Sequence, residues 1–284
     1  MPVIIENKYE VTGILGEGSF GKIFKGININ SKEEVAIKIE KEEDSILLKN
    51  EARIYRDLMD KTGIPKIRSF GMEGGVRYMV MDLLGKSLED VREDYKNKKL
   101  PVRMVLDIGI QITKLLKIIH ESGFIHRDIK PENFLYSKNT SKNILYAVDF
   151  GLACRYLDDK SNHIEMKTGK NIVGTSRYVS INIHEGRSAS RRDDLESLAY
   201  MLVYLLEGEL PWQGIHEDNM EDKNNKIIEL KKTSLCCNDM NYMVGEIIIY
   251  IQYCRKLKYS ETPDYNYLII LLQNLSKHVE TKTR

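Results

Sequence analysis

The hydrophobic period changes once along this chain, at Gly85, and that change limits the possible folds more than composition does. From Tyr9 to Leu84 the apolar residues fall in short alternating runs rich in β-branched side chains, such as VAIKI at 35–39 and RYMVM at 77–81, punctuated by glycines. Beyond Gly85 the period lengthens. Val105, Ile108, Ile112, Leu115 and Ile119 share one helical face, and Leu195, Leu198, Leu202 and Leu205 share another. The pattern predicts an α+β chain with a small strand-rich part, 1–84, and a larger, mostly helical part, 85–284. One helix interrupts the strand-rich part, because Leu47, Glu51, Ile54 and Leu58 recur at spacings of four, three and four. A carboxylate therefore sits on an otherwise apolar stripe, with a solvated helix edge as the plainer alternative.

Composition narrows the class. With 284 residues, 42% hydrophobic and 30% charged, the chain can bury a core and is neither disordered nor collagen-like. A net charge of +1 provides no global field for nucleic acid or anionic lipid, so neither is expected as a partner, and a monomer is expected. Cys154, Cys236, Cys237 and Cys254 form no CxxC pair and read as reduced thiols. The opening MPVIIENKYE lacks the basic and apolar regions of a secretion signal, and no apolar run approaches bilayer length, which makes cytoplasm or nucleus the expected location. The polar, charge-mixed stretches 156–170 and 215–225 are expected to be weakly ordered.

Four short motifs carry chemistry. Gly16, Gly18 and Gly21 form GEGSFG directly after a strand-like run, and glycines let backbone approach phosphate oxygens closely. Three glycines so spaced arise by accident in about one chain in ten of this size, so the motif is weak alone. KIFKGI continues as a second strand, which favours a hairpin whose glycine turn covers phosphates over a dinucleotide fold, where a helix opens at the third glycine. In VAIK, Lys38 ends an apolar segment, where an ammonium needs an anionic partner: nucleotide phosphates, Glu51, or both. HRDIKPEN at 126–133 specifies five positions and arises by chance in on the order of one chain in ten thousand. There Asp128 supplies a carboxylate for an incoming hydroxyl, Lys130 a cation near a transferring phosphoryl group, and Asn133 a neutral oxygen suited to Mg²⁺. Asp149-Phe150-Gly151 follows the apolar run ILYAV, sixteen residues after Asn133, where a β-hairpin would return the chain to the same place with a second Mg²⁺ ligand.

These motifs, in this order, resemble the protein-kinase signature set over nearly the whole chain. The resemblance implies a bilobal kinase fold, with a β-rich N-lobe holding one regulatory helix and a helical C-lobe. It also implies that Lys38 orients ATP phosphates and pairs with Glu51, that Asp128 is the catalytic base, and that Asn133 and Asp149 hold Mg²⁺. Lys130 resembles the pattern of serine/threonine kinases. The nucleotide contacts implied are Leu15, Gly16, Glu17, Gly18, Ser19, Phe20, Gly21, Ile23, Ala36, Lys38, Met81, Asp82, Leu83, Leu135, Val148 and Asp149. Met81 would lie beside the adenine, Asp82 and Leu83 in the hinge, and Leu135 with Val148 on the pocket floor.

Ser180-Ile181-Asn182 stands where most kinases carry an APE motif. With MDLLGKSLED at 81–90, the run SRRDDLESLAYMLVYLLEGELPWQGI and TPDYNYL at 262–268, it closely resembles the casein kinase 1 family. That likeness implies protein substrates with acidic or already phosphorylated residues upstream of the target hydroxyl, an anion site of Arg177, Lys223 and Lys170, Asp194 buttressing the catalytic-loop backbone, and activity without activation-loop phosphorylation. Two departures bear on the anion preference: Cys154 replaces a usual basic residue, and Glu221 and Asp222 thin the basic cluster at Lys223. A kinase-fold scaffold that binds nucleotide and partners without turnover is the alternative.

Overall fold

The computed structural model describes residues 3–18, 21–40, 46–139, 143–217, 219–234 and 242–282. Ser19, Phe20, Cys236 and Cys237 lie outside the described residues. The chain divides into two compact units, Met1–Lys86 with Phe134–Gly151, and Ser87–Asn133 with Leu152–Arg284.

In the first unit the alternating runs become a six-stranded antiparallel sheet. Its strands are β1 (Ile4–Ile5), β2 (Tyr9–Gly18), β3 (Gly21–Asn28), β4 (Glu34–Ile39), β5 (Ile67–Glu73) and β6 (Val76–Asp82), in the order β1-β2-β3-β4-β6-β5. No helix opens at Gly21, whose φ of 149° starts β3, and a Cβ there would stand 2.1 Å from the Ile39 carbonyl oxygen. The period of two sorts side chains onto opposite faces. Val35, Ile37, Tyr78 and Val80 pack with Ile5 and Tyr9 into one apolar core. On the other face the register sets Ile23 opposite Lys38 and Ala36 opposite Met81. Helix α1 (Leu47–Asp57) buries Leu48, Glu51, Ala52, Ile54 and Tyr55, while Leu47 is exposed. The buried face is thus one position on from the expected stripe at its start, where the Leu48 N–H donates to the buried Glu40 carboxylate at 3.0 Å. The hairpin β8 (Phe134–Tyr136) and β9 (Leu145–Ala147) belongs to this unit through backbone hydrogen bonds from Gly85 N–H to the Tyr136 carbonyl (2.8 Å) and from Ala147 N–H to the Gly63 carbonyl (2.9 Å).

The second unit is helical: α2 (Leu88–Glu93), α3 (Val102–Glu121), α4 (Ile181–His184), α5 (Arg191–Glu207), α6 (Met220–Thr233), α7 (Tyr242–Lys256) and α8 (Tyr265–Lys282), with a short strand pair of β7 (Phe124–Ile125) and β10 (Cys154–Arg155). The predicted stripes of α3 and α5 are buried throughout. Helix α5 goes further and buries every residue from Arg192 to Leu206, which makes it the unit's central helix. No helix among the described residues is long and apolar enough to cross a membrane.

The two polar stretches are better ordered than their composition predicts. In 156–170 the Tyr156 ring is buried, and the Asp158 carboxylate accepts from the N–H groups of Lys160 (2.9 Å) and Asn162 (2.8 Å) to close a turn. In 215–225 the chain enters α6, because Asn219 caps it by accepting from the Asp222 N–H at 2.7 Å, and Glu221 and Asp222 lie in its positive first turn. Both segments draw their order from side-chain-to-backbone bonds that hydropathy does not register.

Candidate active site

Within the first unit, Lys38 on β4 meets two carboxylates from distant segments. Its Nζ lies 2.7 Å from Glu51 Oε2 on α1 and 2.9 Å from Asp149 Oδ1 just after β9. Lys38 and Glu51 are buried, whereas the Asp149 side chain keeps 29% of its surface. Burial opposes the ammonium, yet Glu51 and Asp149 together hold Lys38 above the usual lysine range. The Glu51 carboxyl is pushed up to about 7 by burial, against the pull of Lys38. At 2.7 Å the pair is a charge-assisted hydrogen bond above pH 7, where Glu51 is ionised.

Asp149 is fixed by its backbone. Its φ is +62°, a left-handed conformation that costs a non-glycine residue energy, and its N–H donates to the Tyr55 hydroxyl at 3.1 Å. Phe150 packs edge-on against the Tyr55 ring with centroids 4.9 Å apart, so α1 holds both Asp149 and its neighbour. The remaining predicted contacts of this unit are placed as the pleat dictates. Leu15 and Ile23 leave apolar surface exposed, while Ala36 and Met81 are buried and Leu135 and Val148 half-buried. The Asp82 carboxylate accepts from the Arg68 guanidinium at 2.7 Å and from the Lys66 N–H at 3.1 Å, so it is held by β5 and the segment before it.

Within the second unit, the loop after β7 presents Asp128 with both carboxylate oxygens engaged. Oδ1 accepts from the N–H (3.1 Å) and hydroxyl (2.8 Å) of Thr175, and Oδ2 lies 2.6 Å from Lys130 Nζ and accepts from Asn133 Nδ2 at 3.1 Å. Asn133 Nδ2 also donates to the Asp128 carbonyl at 2.8 Å. With the amide nitrogen committed to Asp128, the amide oxygen is the atom of Asn133 suited to a cation. Asp194, at the start of α5, holds the loop. Its carboxylate accepts from the N–H groups of His126 (2.7 Å) and Arg127 (2.9 Å) and lies 2.9 Å from His120 Nε2. Burial pushes Asp194 up, but the His120 hydrogen bond and the nearby histidine charges hold it below the usual carboxylate range. Arg127 adopts φ +68°, and Gly174 approaches it so closely that a Cβ would stand 2.3 Å from the Arg127 carbonyl oxygen. Glycine is required there.

The expected anion site comprises Arg177, Lys223 and Lys170. Arg177 stacks its guanidinium 5.2 Å from the Tyr204 ring centroid and 5.7 Å from that of Tyr178, and its carbonyl accepts from Trp212 Nε1 at 2.7 Å. Lys223 is half-buried on α6. Lys170 instead lines a cavity of about 540 Å³ with Arg127, Cys154, Arg155, Lys167 and Arg187, because its backbone N–H bonds the Gly186 carbonyl at 2.9 Å and draws the segment there. Neither Arg177 nor Lys223 lines that cavity. Thr175 and Tyr55 had escaped the sequence reading; a hydroxyl two residues before Arg177 is the only signal that pointed to the first.

Among the described residues no group of three His, Cys, Asp or Glu side chains could hold a metal by itself. Asp149 and Asn133 each offer a hard oxygen, the donor type that suits Mg²⁺ where phosphate oxygens and water complete the shell. The residues present fit that ion. The protein kinase domain family model matches residues 9–270, and with Lys38, Glu51 and Asp149 joined in one unit and Asp128, Lys130 and Asn133 in the other, the chain belongs to the protein kinase family.

Proposed function

We propose that this kinase is a Mg·ATP-dependent serine/threonine protein kinase of the casein kinase 1 type, acting on acidic or phospho-primed proteins and active without activation-loop phosphorylation. The observation that carries the reading is the Lys38 ammonium fixed between Glu51 and Asp149. A cation so held is positioned for the ATP phosphates, and binding them costs no further ordering of its side chain. Asp149 and Asn133 are the residues that would hold Mg²⁺, which would supply charge neutralisation for the phosphate oxygens. Asp128 takes the proton of the acceptor hydroxyl, Thr175 and Asn133 aim its carboxylate, and Lys130 screens negative charge as the hydroxyl attacks. Support for serine/threonine acceptors comes from Lys130 and from its ion pair with Asp128. Incubation with labelled ATP, Mg²⁺ and casein tests the reading: transfer well above an Asp149→Asn control is expected, and its absence would leave a nucleotide-binding scaffold.

Arg177 supports the preference for anionic substrates, because a guanidinium laid over two tyrosine rings is held in place before a phosphate arrives. Arg177→Ala is expected to raise KM for a phospho-primed peptide about tenfold and for an unprimed one less than twofold. Equal changes for both peptides remove Arg177 from the anion site.

The raised Glu51 carboxyl gives the activity an acid limit. Above pH 7 Glu51 is ionised and braces Lys38; as pH falls through about 7 it takes a proton and the brace weakens. The expected result is a kcat/KM for ATP that declines below pH 7, and a Glu51→Gln variant that is weak at every pH but lacks this limb. A limb that persists unchanged in the variant assigns it to another group.

A further inference from the structure

Lys231, on the last turn of α6, is a lysine with 0% of its surface exposed. Its Nζ lies 2.6 Å from the Val179 carbonyl oxygen, 3.1 Å from the Ser176 carbonyl oxygen and 3.0 Å from His184 Nε2. An ammonium has three N–H donors and no acceptor, so these three partners match its capacity if the histidine nitrogen carries a lone pair. The neighbouring groups fix that tautomer. Asn224 Nδ2 donates to the His184 carbonyl at 3.1 Å, which turns Asn224 Oδ1 toward His184 Nδ1 at 2.5 Å. With the ring proton on Nδ1, Nε2 accepts from Lys231; Nε2 also lies 3.2 Å from the Ser176 carbonyl oxygen that Lys231 bonds. The Tyr200 and Trp212 rings flank the amino group with centroids 4.9 and 5.2 Å away, and burial, with Arg255 adding to it and Glu196 opposing it, pulls Lys231 down to about 7.

Burying a lysine is costly, and both backbone carbonyls that compensate it belong to one short stretch of chain. The turn at 175–179 gives Lys231 two carbonyls, and its third, that of Arg177, accepts from Trp212 Nε1. The turn is thus pinned from the α6 side at Ser176, Arg177 and Val179. Its other edge carries Thr175, whose N–H and hydroxyl hold Asp128 Oδ1. We propose that Lys231 is a positioning residue for the acceptor half of the reaction: its amino group, donating to the Ser176 and Val179 carbonyls, locks the 175–179 turn, so that Thr175 aims the Asp128 carboxylate and Arg177 stays on its tyrosine shelf. Lys231 touches neither substrate nor nucleotide, and the locking acts through the backbone of the turn. This inference rests on the kinase reading proposed above.

The test compares full-length wild type with Lys231→Met, which keeps the length of the side chain and removes its donors, and with Asn224→Ala, which frees the His184 ring and leaves Lys231 in place. For each protein, kcat and KM are measured separately for a phospho-primed serine peptide and for ATP, and binding of the fluorescein-labelled peptide is measured by anisotropy. Folded Lys231→Met is expected to lose about 10- to 100-fold in kcat/KM for the peptide, with KM for ATP within about twofold of wild type. Asn224→Ala is expected to show a smaller loss of the same selectivity, roughly three- to fivefold. If Lys231→Met does not fold, Asn224→Ala decides alone. Peptide and ATP parameters that fall by one common factor, or peptide kinetics left unchanged in the deciding variant, overturn the inference. Anisotropy separates the two claims: wild type that binds peptide but transfers nothing sinks the kinase reading, and Lys231→Met or Asn224→Ala that both binds and phosphorylates the peptide as wild type does sinks the role of Lys231.

Discussion

Asp128→Asn lowers kcat for phosphoryl transfer about 10³-fold, the middle of the range for removing a positioned general base, and leaves KM for ATP within a factor of about two. The two residues have the same shape, so the loss is chemical. Every recorded partner of the Asp128 side chain approaches it as a donor: the Thr175 N–H and hydroxyl at one oxygen, Lys130 and Asn133 at the other. An amide keeps one acceptor and points two hydrogens where a lone pair had been, so one side of the arrangement becomes a donor facing donors. The Thr175 hydroxyl can rotate to accept, which spares the fold. Steady-state kinetics with a serine peptide and a thermal melt check both halves. A kcat within tenfold of wild type would show that another group takes the proton, and a melting temperature far below wild type would show that the loss is structural.

The second large effect is on Lys38, where stability and activity part. Lys38→Met removes the only cation paired with Glu51 among the described residues and leaves two carboxylates close together, which by analogy with other broken buried pairs costs roughly 3 kcal/mol. Glu51 limits that cost, because burial has already pushed its carboxyl up to about 7 and it takes a proton readily once the ammonium is gone. Without the pull of Lys38 the Glu51 carboxyl lies above 7, so the deficit should shrink as pH falls toward 7, opposite to the usual acid destabilisation. Adding Glu51→Gln removes the orphaned charge and restores more than half of the lost stability, while transfer stays below about 1% of wild type in both variants because nothing replaces the cation at the phosphates. Denaturant melts between pH 6 and 8 follow the stability, and labelled-ATP assays the transfer. Recovery of activity together with stability would make Lys38 a structural residue only.

The legibility of the site followed the range of the interactions involved. GEGSFG, VAIK, HRDIKPEN and Asp149-Phe150-Gly151 are contiguous, and their residue types state their chemistry before any fold is known. Glu51 was legible at one remove, as a carboxylate on an apolar helical stripe, although the stripe itself begins at the buried Leu48 and leaves Leu47 exposed. Thr175 and Lys231 were illegible. Lys231 stands next to an exposed Lys232 in a run that reads as solvated surface, and only the packing of α6 against residues 176–184 makes it buried. Lys170, which likeness groups with Arg177 and Lys223, lines a cavity with Arg127 and Arg187, a placement that the sequence does not state.

Hydrophobic period and motif order, both written in neighbouring residues, were enough to determine a strand-rich part, a helical part and the chemical inventory of a phosphoryl-transfer enzyme. Tertiary structure alone decided which charges meet. Lys38 and Asp149 are 111 positions apart, and Lys231 is 55 from Ser176. Whether such groups attract, lose their water or shift their protonation depends on the volume they come to share, and sequence distance carries no information about that volume.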